Sequence, residues 1–270
     1  MLKDITLGQF FPGDTVAHRL DPRTKILLVV LYIVALFCAK SLLAYGILAA
    51  VLAVCVRISR VGIKSLVRGL KPVVFIIVFT GILNLFFTPG EHILAELGFL
   101  RISAEGLQNA VFMVLRIMLL IMGTFLMTYT TSPISLTDGL ERLLGGLKKI
   151  HVPVHELAMM MSIALRFIPT LIEETDKIMN AQKARGAQLD NGKMTERIKA
   201  LVPVLVPLFI SAFRRADELA MAMECRCYRG GDGRTRLKVL RCEKQDYIDL
   251  AVCIACFAVI LASRLVFPNF

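Results

Sequence analysis

Apolar runs of near-membrane length recur along this chain and constrain its fold more than any other feature. A membrane-spanning helix needs about 20 mostly apolar residues. The runs that we interpret as spans cover residues 26–39, 42–56, 73–87, 107–128 and 250–266. Only Lys40 and Ser41 separate the first two runs, so these are either two compact spans or one long segment and a partly buried one. The pattern predicts an all-α, polytopic membrane protein with about five transmembrane helices.

The composition agrees with an integral membrane protein and gives little support to other classes. Hydrophobic residues make up 56% of the chain, more than a soluble domain normally carries. The net charge of +11 does not indicate nucleic-acid binding, because the surplus Lys and Arg of membrane proteins collect on cytoplasmic loops. The seven cysteines are scattered, and four lie in apolar runs, which is typical of buried thiols rather than of a disulfide framework.

The charges of the connecting segments predict how the chain is oriented. The connection between the second and third spans holds only basic charges, namely Arg57, Arg60, Lys64, Arg68 and Lys71. The next connection holds Glu91, Glu96 and a single basic residue, Arg101. By the positive-inside tendency, the first connection is cytoplasmic and the second is external. We therefore expect a cell-membrane protein with three regions: N-terminal spans over 1–130, a cytoplasmic region over 131–246 and a last span over 247–270.

The cytoplasmic region has a helical pattern, because a structureless connection of this length is uncommon and its apolar residues are periodic. From Leu157 to Met179 these residues recur at spacings of three and four. The spacing predicts one long amphipathic helix from Pro153 to Gly186. Pro169 is expected to bend this helix, and Gly186 suits a left-handed C-cap.

Two further helices are predicted in the same region. One starts at Thr195, passes through the apolar stretch 200–210 and ends near Arg226. That stretch is too short to span a bilayer, so we expect it to pack against the spans or to lie at the interface. A shorter helix over 134–147 precedes both long ones. We call the two long helices coupling helices, since each could carry displacement from the membrane to a cytoplasmic partner.

Each coupling helix ends on an arginine between two small residues. The candidate docking residues are Ala184, Arg185, Gly186, Cys225, Arg226 and Cys227. A planar guanidinium at the tip of a helix can bind bidentately to an acidic site on another protein. This arrangement indicates a membrane subunit with cytoplasmic partners rather than a self-contained channel.

Other charged and adaptable residues leave alternatives open. Arg116 lies within the fourth span, where a charge is costly unless it faces protein, water or a partner. Arg23 and Lys25 either fix the first span at the cytoplasmic interface or only add to the general positive charge there. The coupling helices carry methionines that suit either sliding contacts or ordinary core packing, namely Met159, Met160, Met161, Met179, Met221 and Met223.

Motifs for catalysis, nucleotides and metals are missing. The chain has no G-x-x-x-x-G-K-[ST] sequence, so it is not expected to bind ATP itself. His151, His155 and Glu156 resemble a metal triplet, but Pro153 disfavours a regular helical pair of histidines. Cys253 and Cys256 are interpreted as small core residues. We expect no catalytic, cofactor-binding or metal-binding residue in this chain.

Several ordered segments make the chain resemble a known family over essentially its whole length. These are Leu20–Lys25 (LDPRTK), Thr131–Pro133 (TSP), Ala164–Pro169 (ALRFIP), Ala181–Gly186 (AQKARG) and Gly233–Arg236 (GRTR). They are similar to segments of EcfT, the transmembrane T component of energy-coupling-factor (ECF) transporters, also called the CbiQ type. We identify the chain as resembling that family.

The resemblance implies a non-catalytic subunit of an ATP-driven importer of vitamins or other micronutrients. Such a subunit joins two cytoplasmic ABC-type ATPases, EcfA and EcfA′, to a small substrate-binding membrane protein, the S component. ATP and Mg²⁺ are then held by the ATPases. Two long coupling helices cross in an X, and each tripeptide sits in a groove of one ATPase, which makes Arg185 and Arg226 the anchors. Cys225 and Cys227 stand where Ala and Gly are usual in the family.

Two other functional classes fit the sequence less well. A membrane-embedded enzyme lacks a convergent set of catalytic groups in this sequence. A channel or secondary transporter would have polar residues spread through several spans and an internal repeat, whereas these spans are mostly apolar, with Arg116 and Asn84 among the exceptions, and no repeat is found. Within the resembled family, the length and the GRTR segment favour the form shared by several S components over a dedicated cobalt or biotin form. The S component would determine which vitamin or ion is moved.

Overall fold

The computed structural model describes residues 10–88, 93–97, 100–187, 194–231, 240 and 242–266. Its helices are α1 (Val16–Arg19), α2 (Pro22–Cys38), α3 (Leu42–Ser59), α4 (Ile63–Leu70), α5 (Val74–Phe87), α6 (Ala104–Thr130), α7 (Pro133–Leu143), α8 (Val154–Ala184), α9 (Met194–Cys225) and α10 (Lys244–Val266). Short 3-10 segments cover Lys71–Val73 and Leu144–Ile150. The chain forms two compact units: the span unit, with the described residues of 10–142 and 240–266, and the helix-pair unit, with those of 143–231.

The predicted all-α, polytopic class is confirmed. Among the described residues, five helical segments are long and apolar enough to cross a membrane: Leu42–Ser59, Ile63–Phe86, Ala104–Thr130, Val154–Ala184 and Lys244–Ala262. Helix α2 covers the first predicted span but has only 17 residues. At a rise of 1.5 Å per residue it is about 26 Å long, which is a few ångströms less than a typical hydrocarbon core.

Helix α8 belongs to this set although its sequence pattern predicts a cytoplasmic helix. Its most apolar stretch of 18 residues has a mean hydropathy of 1.3, which is the lowest of the five, the corresponding values of the others being 1.8 to 2.3. Its second half carries Glu173, Glu174, Asp176 and Lys177, which a lipid-facing helix would not tolerate. A helix with a broad apolar stripe can reach a high average without being apolar all round. The cytoplasmic placement of α8 stays a prediction.

The two short runs at the start of the chain form separate helices. Helix α2 ends at Cys38, and Ser41 begins α3 as an N-cap whose hydroxyl accepts the backbone N–H of Ala44 at 3.2 Å. The hydroxyl satisfies one of the donors that a helix start leaves unpaired. Of the two alternatives for 26–56, the structure therefore has two compact helices.

A small antiparallel hairpin, absent from the sequence prediction, connects α5 to α6. Strands β1 (Ile93–Leu97) and β2 (Leu100–Ser103) pair with Leu97 opposite Leu100. The hairpin falls in the connection that the sequence analysis places outside the membrane. It is a local addition to an otherwise helical fold.

Helix α6 is the central helix of the span unit. Its Leu119 belongs to the buried core together with Leu36 of α2, Leu48 of α3 and Ile260 of α10. Small residues let the neighbouring helices approach closely: a Cβ added at Gly123 would lie 2.7 Å from the Tyr32 ring of α2. Close approach of this kind is the usual packing device of membrane helices, which lack a hydrophobic driving force between them.

Replacing Gly139 with alanine should destabilise the span unit. A Cβ there would lie 2.9 Å from the Pro22 Cβ and 3.2 Å from the Pro22 carbonyl carbon, so α7 would be pushed off α2. We expect Gly139→Ala to lower the free energy of unfolding by about 1–3 kcal/mol, measured by circular dichroism in detergent. Gly46→Ala in α3 is the matched control, because no atom lies within 4 Å of its added Cβ. That change should instead stabilise by about 0.5–1 kcal/mol, and equal effects of the two would contradict the packing argument.

The long helices of the helix-pair unit agree with the predicted ones within about two residues. Helix α8 runs from Val154 to Ala184 and α9 from Met194 to Cys225, each with internal prolines. The shorter predicted helix, over 134–147, needs a correction. It is α-helical only to Leu143 and continues as a 3-10 segment, because Gly145 and Gly146 weaken the α-helix at that point.

Candidate partner-docking site

The first tripeptide forms a regular helix-ending motif. Arg185 is the C-cap of α8, and Gly186 follows with a left-handed φ of 85°. The Gly186 N–H donates to the Lys183 carbonyl and the Ala187 N–H to the Gln182 carbonyl, each at 3.0 Å. These two bonds define a Schellman motif, which satisfies carbonyls that the helix end leaves unpaired. The prediction that Gly186 adopts a left-handed conformation at the end of this helix is confirmed.

The second tripeptide ends α9 in the same way. The Cys227 N–H donates to the Glu224 carbonyl at 2.8 Å, and the Tyr228 N–H to the Met223 carbonyl at 3.0 Å. Cys227 has a φ of 54°, so a cysteine adopts the left-handed conformation that glycine adopts at the end of α8. Arg226 therefore occupies the same C-cap position as Arg185. Cys227 thus closes the same backbone motif at the end of α9 as Gly186 does at the end of α8.

Both arginines are available to a partner. The six candidate docking residues are all exposed. Within the part of the chain that the structure describes, neither guanidinium makes a hydrogen bond or an ion pair with another side chain. Each arginine lies in the last turn of its helix, where the hydrogen-bonded cap fixes its Cα and only the side chain remains to be ordered on binding. The geometry suits insertion of each side chain into a groove.

Introducing glycine at position 227 should stabilise the end of α9. A side chain in the left-handed region costs about 1–2 kcal/mol, part of which is offset because glycine is freer in the unfolded chain. We expect Cys227→Gly to slow amide hydrogen exchange at positions 227 and 228 by about two- to five-fold, equivalent to about 0.5–1 kcal/mol. Cys225→Ala is the control, since Cys225 lies within the right-handed helix. A similar effect of both changes would contradict the explanation.

The two coupling helices pack against each other in opposite directions. Near the end of α8, the Gln182 side-chain Nε2 donates to the Pro203 carbonyl of α9 at 3.2 Å. Further along, Arg215 Nη2 lies 2.9 Å from Glu174 Oε2. Beyond the end of α9, a Cβ at Gly231 would contact the His155 ring at 2.5 Å, close to the start of α8. Arg185 and Arg226 therefore lie at opposite ends of the helix pair.

A second cluster lies where α2 begins, in the LDPRTK segment. Asp21 is the N-cap of α2, and its carboxylate accepts the Arg23 backbone N–H at 2.9 Å and the Arg23 guanidinium at 3.1 and 2.9 Å. The Asp21 N–H in turn donates to Asp246 Oδ1 at 2.9 Å, and Arg23 donates to the Leu240 carbonyl at 3.1 Å. Asp246 Oδ2 also accepts the Glu243 N–H at 2.7 Å and so caps α10.

The charges of this cluster are compensated locally. Burial acts to raise the pKa of the Asp21 carboxyl, but the hydrogen bonds from Arg23 outweigh it and hold that pKa below the usual 3.8. The stability that this carboxylate adds is therefore complete above pH 3.8 and is lost only as the pH falls through the lower folded-state pKa. Sequence reasoning missed Asp246, because its partner is 225 residues away along the chain.

Lys25 makes specific contacts rather than adding only general positive charge. The residue is 6% exposed. The three N–H groups of its ammonium match three acceptors: the Thr130 carbonyl at 2.9 Å, the Thr131 hydroxyl at 3.2 Å and the His18 carbonyl at 3.3 Å. A cation at the C-terminus of α6 also suits the helix dipole. These contacts favour the hypothesis that Arg23 and Lys25 fix the first span.

The chain is similar to known transporter proteins over nearly its full length. A family model described as cobalt transport protein, CbiQ, matches residues 13–237. A relative from Clostridium kluyveri is 53% identical over 98% of this chain and 98% of its own length. A relative from Ruminiclostridium cellulolyticum is 50% identical over 99% of this chain and 100% of its own length. A relative from Lactococcus lactis is 45% identical over 96% of this chain and 97% of its own length. All three are named energy-coupling factor transporter transmembrane protein EcfT.

The chain belongs to the EcfT family. Membership confirms the resemblance seen in the sequence, and with it a multi-pass membrane protein that is a component of an energy-coupling transporter complex. Transmembrane components of such transporters are non-catalytic subunits, so the prediction that the chain is not an enzyme is also confirmed. The EcfT segment Gly233–Arg236 lies outside the residues that the structure describes.

The intramembrane arginine of this EcfT chain is held by protein groups. Arg116 Nε donates to the Tyr45 hydroxyl at 3.0 Å and Nη2 to the Ala39 carbonyl at 3.3 Å, while the guanidinium lies 5.8 Å from the Phe37 ring centroid. The Ala39 carbonyl belongs to the C-terminal end of α2, where a cation is favoured. Arg116 thus faces protein, which is one of the situations in which its charge can be tolerated.

The remaining sequence candidates have modest roles in the structure. Among the described residues, no group of three or more His, Cys, Asp or Glu side chains could hold a metal ion. His155 instead packs against Gly231. Met160 and Met161 are each 54% exposed and Met221 is 61% exposed, so these methionines are not core residues between the coupling helices. Their exposure favours contacts with a changing partner surface.

Proposed function

We propose that this chain couples two ABC-type ATPases to an S component, with Arg185 and Arg226 as the two ATPase anchors. The observation that carries the proposal is the pair of exposed arginines at matching Schellman caps, one at each end of an antiparallel helix pair. One arginine would enter a groove of each ATPase, flanked by Ala184 and Gly186 in one case and by Cys225 and Cys227 in the other. The region 131–246 would lie in the cytoplasm, where ATP is available.

The proposed mechanism needs no chemistry in this chain. EcfA and EcfA′ would hold ATP and Mg²⁺, and their closure would move the ends of the helix pair relative to each other. Packed helices respond to such displacement by repacking between discrete arrangements, which lets a change at the tips reach the partner in the membrane. The Arg215–Glu174 ion pair, with both side chains about one-third exposed at 30% and 28%, is a contact that can break and re-form at little cost.

The partner in the membrane would be the S component, and the apolar stretch of α9, which is expected to lie at the membrane interface, offers a surface for it. Val202, Val206, Phe209 and Phe213 recur at helical spacings, and each is at least 51% exposed. A row of large apolar side chains suits a partner that is itself apolar. Uptake of a vitamin or another micronutrient would follow from the identity of that S component, as would sharing among several of them.

The proposal is tested by purifying the tagged chain from its native membranes in mild detergent and identifying its partners by mass spectrometry. We expect two ABC-type ATPases and at least one small membrane protein. Several different small membrane proteins would indicate the shared form, and a single one would indicate a dedicated form, such as one for cobalt or biotin. Recovery of the chain without any ATPase would contradict the proposal.

A further inference from the structure

Helix α9 contains a backbone carbonyl that has lost its usual partner. In an α-helix each carbonyl accepts the N–H of the residue four positions later. The Pro203 carbonyl would need the N–H of residue 207, but residue 207 is also proline and has none. This carbonyl lies on exposed surface, where it remains available to a donor from a neighbouring side chain.

Gln182 of α8 supplies that donor. Its Nε2 lies 3.2 Å from the Pro203 carbonyl oxygen. The same residue also closes the turn that carries Arg185, because the Gln182 backbone carbonyl accepts the N–H groups of Arg185 at 3.1 Å and Ala187 at 3.0 Å. The Gln182 backbone therefore stabilises the turn at the end of α8 that carries Arg185. The Gln182 side chain contacts α9 at the carbonyl that Pro207 leaves without its helical donor.

We propose that Gln182 is a positioning residue that fixes the Arg185 tip relative to α9. The role of the tip in docking rests on the proposed function, whereas the contact itself belongs to this chain alone. The contact is specific in two ways. It needs an amide that donates to a carbonyl, and it needs the proline at position 207, whose missing N–H leaves that carbonyl open.

Substitution of Gln182 by glutamate tests the contact in the full-length chain without any ATPase. Glu has nearly the same shape, but its carboxylate cannot donate and is repelled by the carbonyl oxygen. Loss of one such bond is expected to speed amide hydrogen exchange at Arg185, Gly186 and Ala187 by about two- to ten-fold. The matched control is Asn180→Asp, the same amide-to-acid change at an exposed position of the same helix, which should leave exchange unchanged.

Pro207→Ala separates positioning from a general loss of structure. An alanine at this position would provide the missing N–H to the Pro203 carbonyl, which then no longer needs Gln182. In that background Gln182→Glu should cause no further change in exchange. Equal exchange in Gln182→Glu and the unmodified chain would overturn the proposal. The proposal would also be overturned if Gln182→Glu changed the exchange rates equally in the unmodified chain and in the Pro207→Ala background.

A second measurement connects the contact to docking. In the reconstituted complex, Gln182→Glu should weaken association with the ATPase pair by about two- to ten-fold, and the weakening should disappear in the Pro207→Ala background. Altered exchange with unchanged association would overturn the positioning role while leaving the contact in place. If Arg185 itself proves unnecessary for association, the proposed function fails, and the exchange experiment still decides whether the contact exists.

Discussion

Reversing the charge of both anchors, Arg185→Glu with Arg226→Glu, should abolish association of this chain with the ATPase pair. Residues that fill a partner pocket at the centre of an interface cost about 2 kcal/mol or more when removed, so loss of both corresponds to a roughly 1000-fold weaker complex. Glutamate adds repulsion from the acidic groove expected to receive each guanidinium. Co-purification of the ATPases with the tagged chain measures the effect, and the membrane fraction reports insertion.

The matched control keeps the helices and the total change in charge. Lys177→Glu with Arg214→Glu alters one exposed basic residue in the second half of each coupling helix, about two to three turns before the cap. This variant should retain the ATPases. If both double variants lose them, net charge rather than docking is responsible. If the double substitution at Arg185 and Arg226 still assembles normally, the anchor assignment is wrong.

The single variants test whether the two ends are equivalent. Arg185→Glu and Arg226→Glu are each expected to weaken association by about 30-fold, with neither complete alone. The backbone is the same at both caps, so any difference between the two variants must come from the flanking cysteines or from the two ATPases. Adding Cys225→Ala and Cys227→Gly to the Arg226→Glu variant separates these causes.

Removing the Asp246 carboxylate should destabilise the span unit more than any other single change considered. Asp246 is 3% exposed and accepts the backbone N–H groups of Asp21 and Glu243. Alanine would leave the Asp21 N–H unpaired at the buried junction of α2 and α10, and would also remove the acceptor of the Glu243 N–H at the start of α10. We expect Asp246→Ala to lower the free energy of unfolding by about 2–5 kcal/mol, measured by circular dichroism in detergent.

The conservative variant tests whether the acceptor geometry matters. Asp246→Asn keeps one oxygen acceptor and should lose about half of that stability. Asp14→Asn, at an exposed position of the same unit, is the control and should change stability by less than about 0.5 kcal/mol. An Asp246→Ala variant as stable as the unmodified chain would show that the junction does not depend on these bonds.

Local chemistry made much of this structure predictable. The apolar runs predicted the spans, and the spacing of apolar residues between Leu157 and Met179 predicted α8. Gly186 predicted the helix end because a left-handed residue after a helix is most often glycine. Family likeness then identified Arg185 and Arg226 as candidate anchors. These features are encoded within short stretches of sequence, where propensity and periodicity act directly.

The remaining features depend on contacts between distant parts of the chain. Nothing near Asp246 indicates that it binds the N–H of Asp21, and nothing near Gln182 indicates the open carbonyl of Pro203. Cys227 is a different case, since the hydrogen bonds of the Schellman motif outweigh the cost of a left-handed cysteine. Hydropathy also does not separate the apolar face of α8 from a span, because both have a high average.

The helix-pair unit is an insertion between two parts of the span unit, and both flanking parts contact the start of α2. The chain leaves the span unit shortly after Gly139, which packs on Pro22, and returns shortly before Asp246, which binds the N–H of Asp21. The residues before and after the insertion therefore both contact the first turn of α2. Within the span unit, a displacement of Gly139 or of Asp246 would therefore act on the same turn of α2.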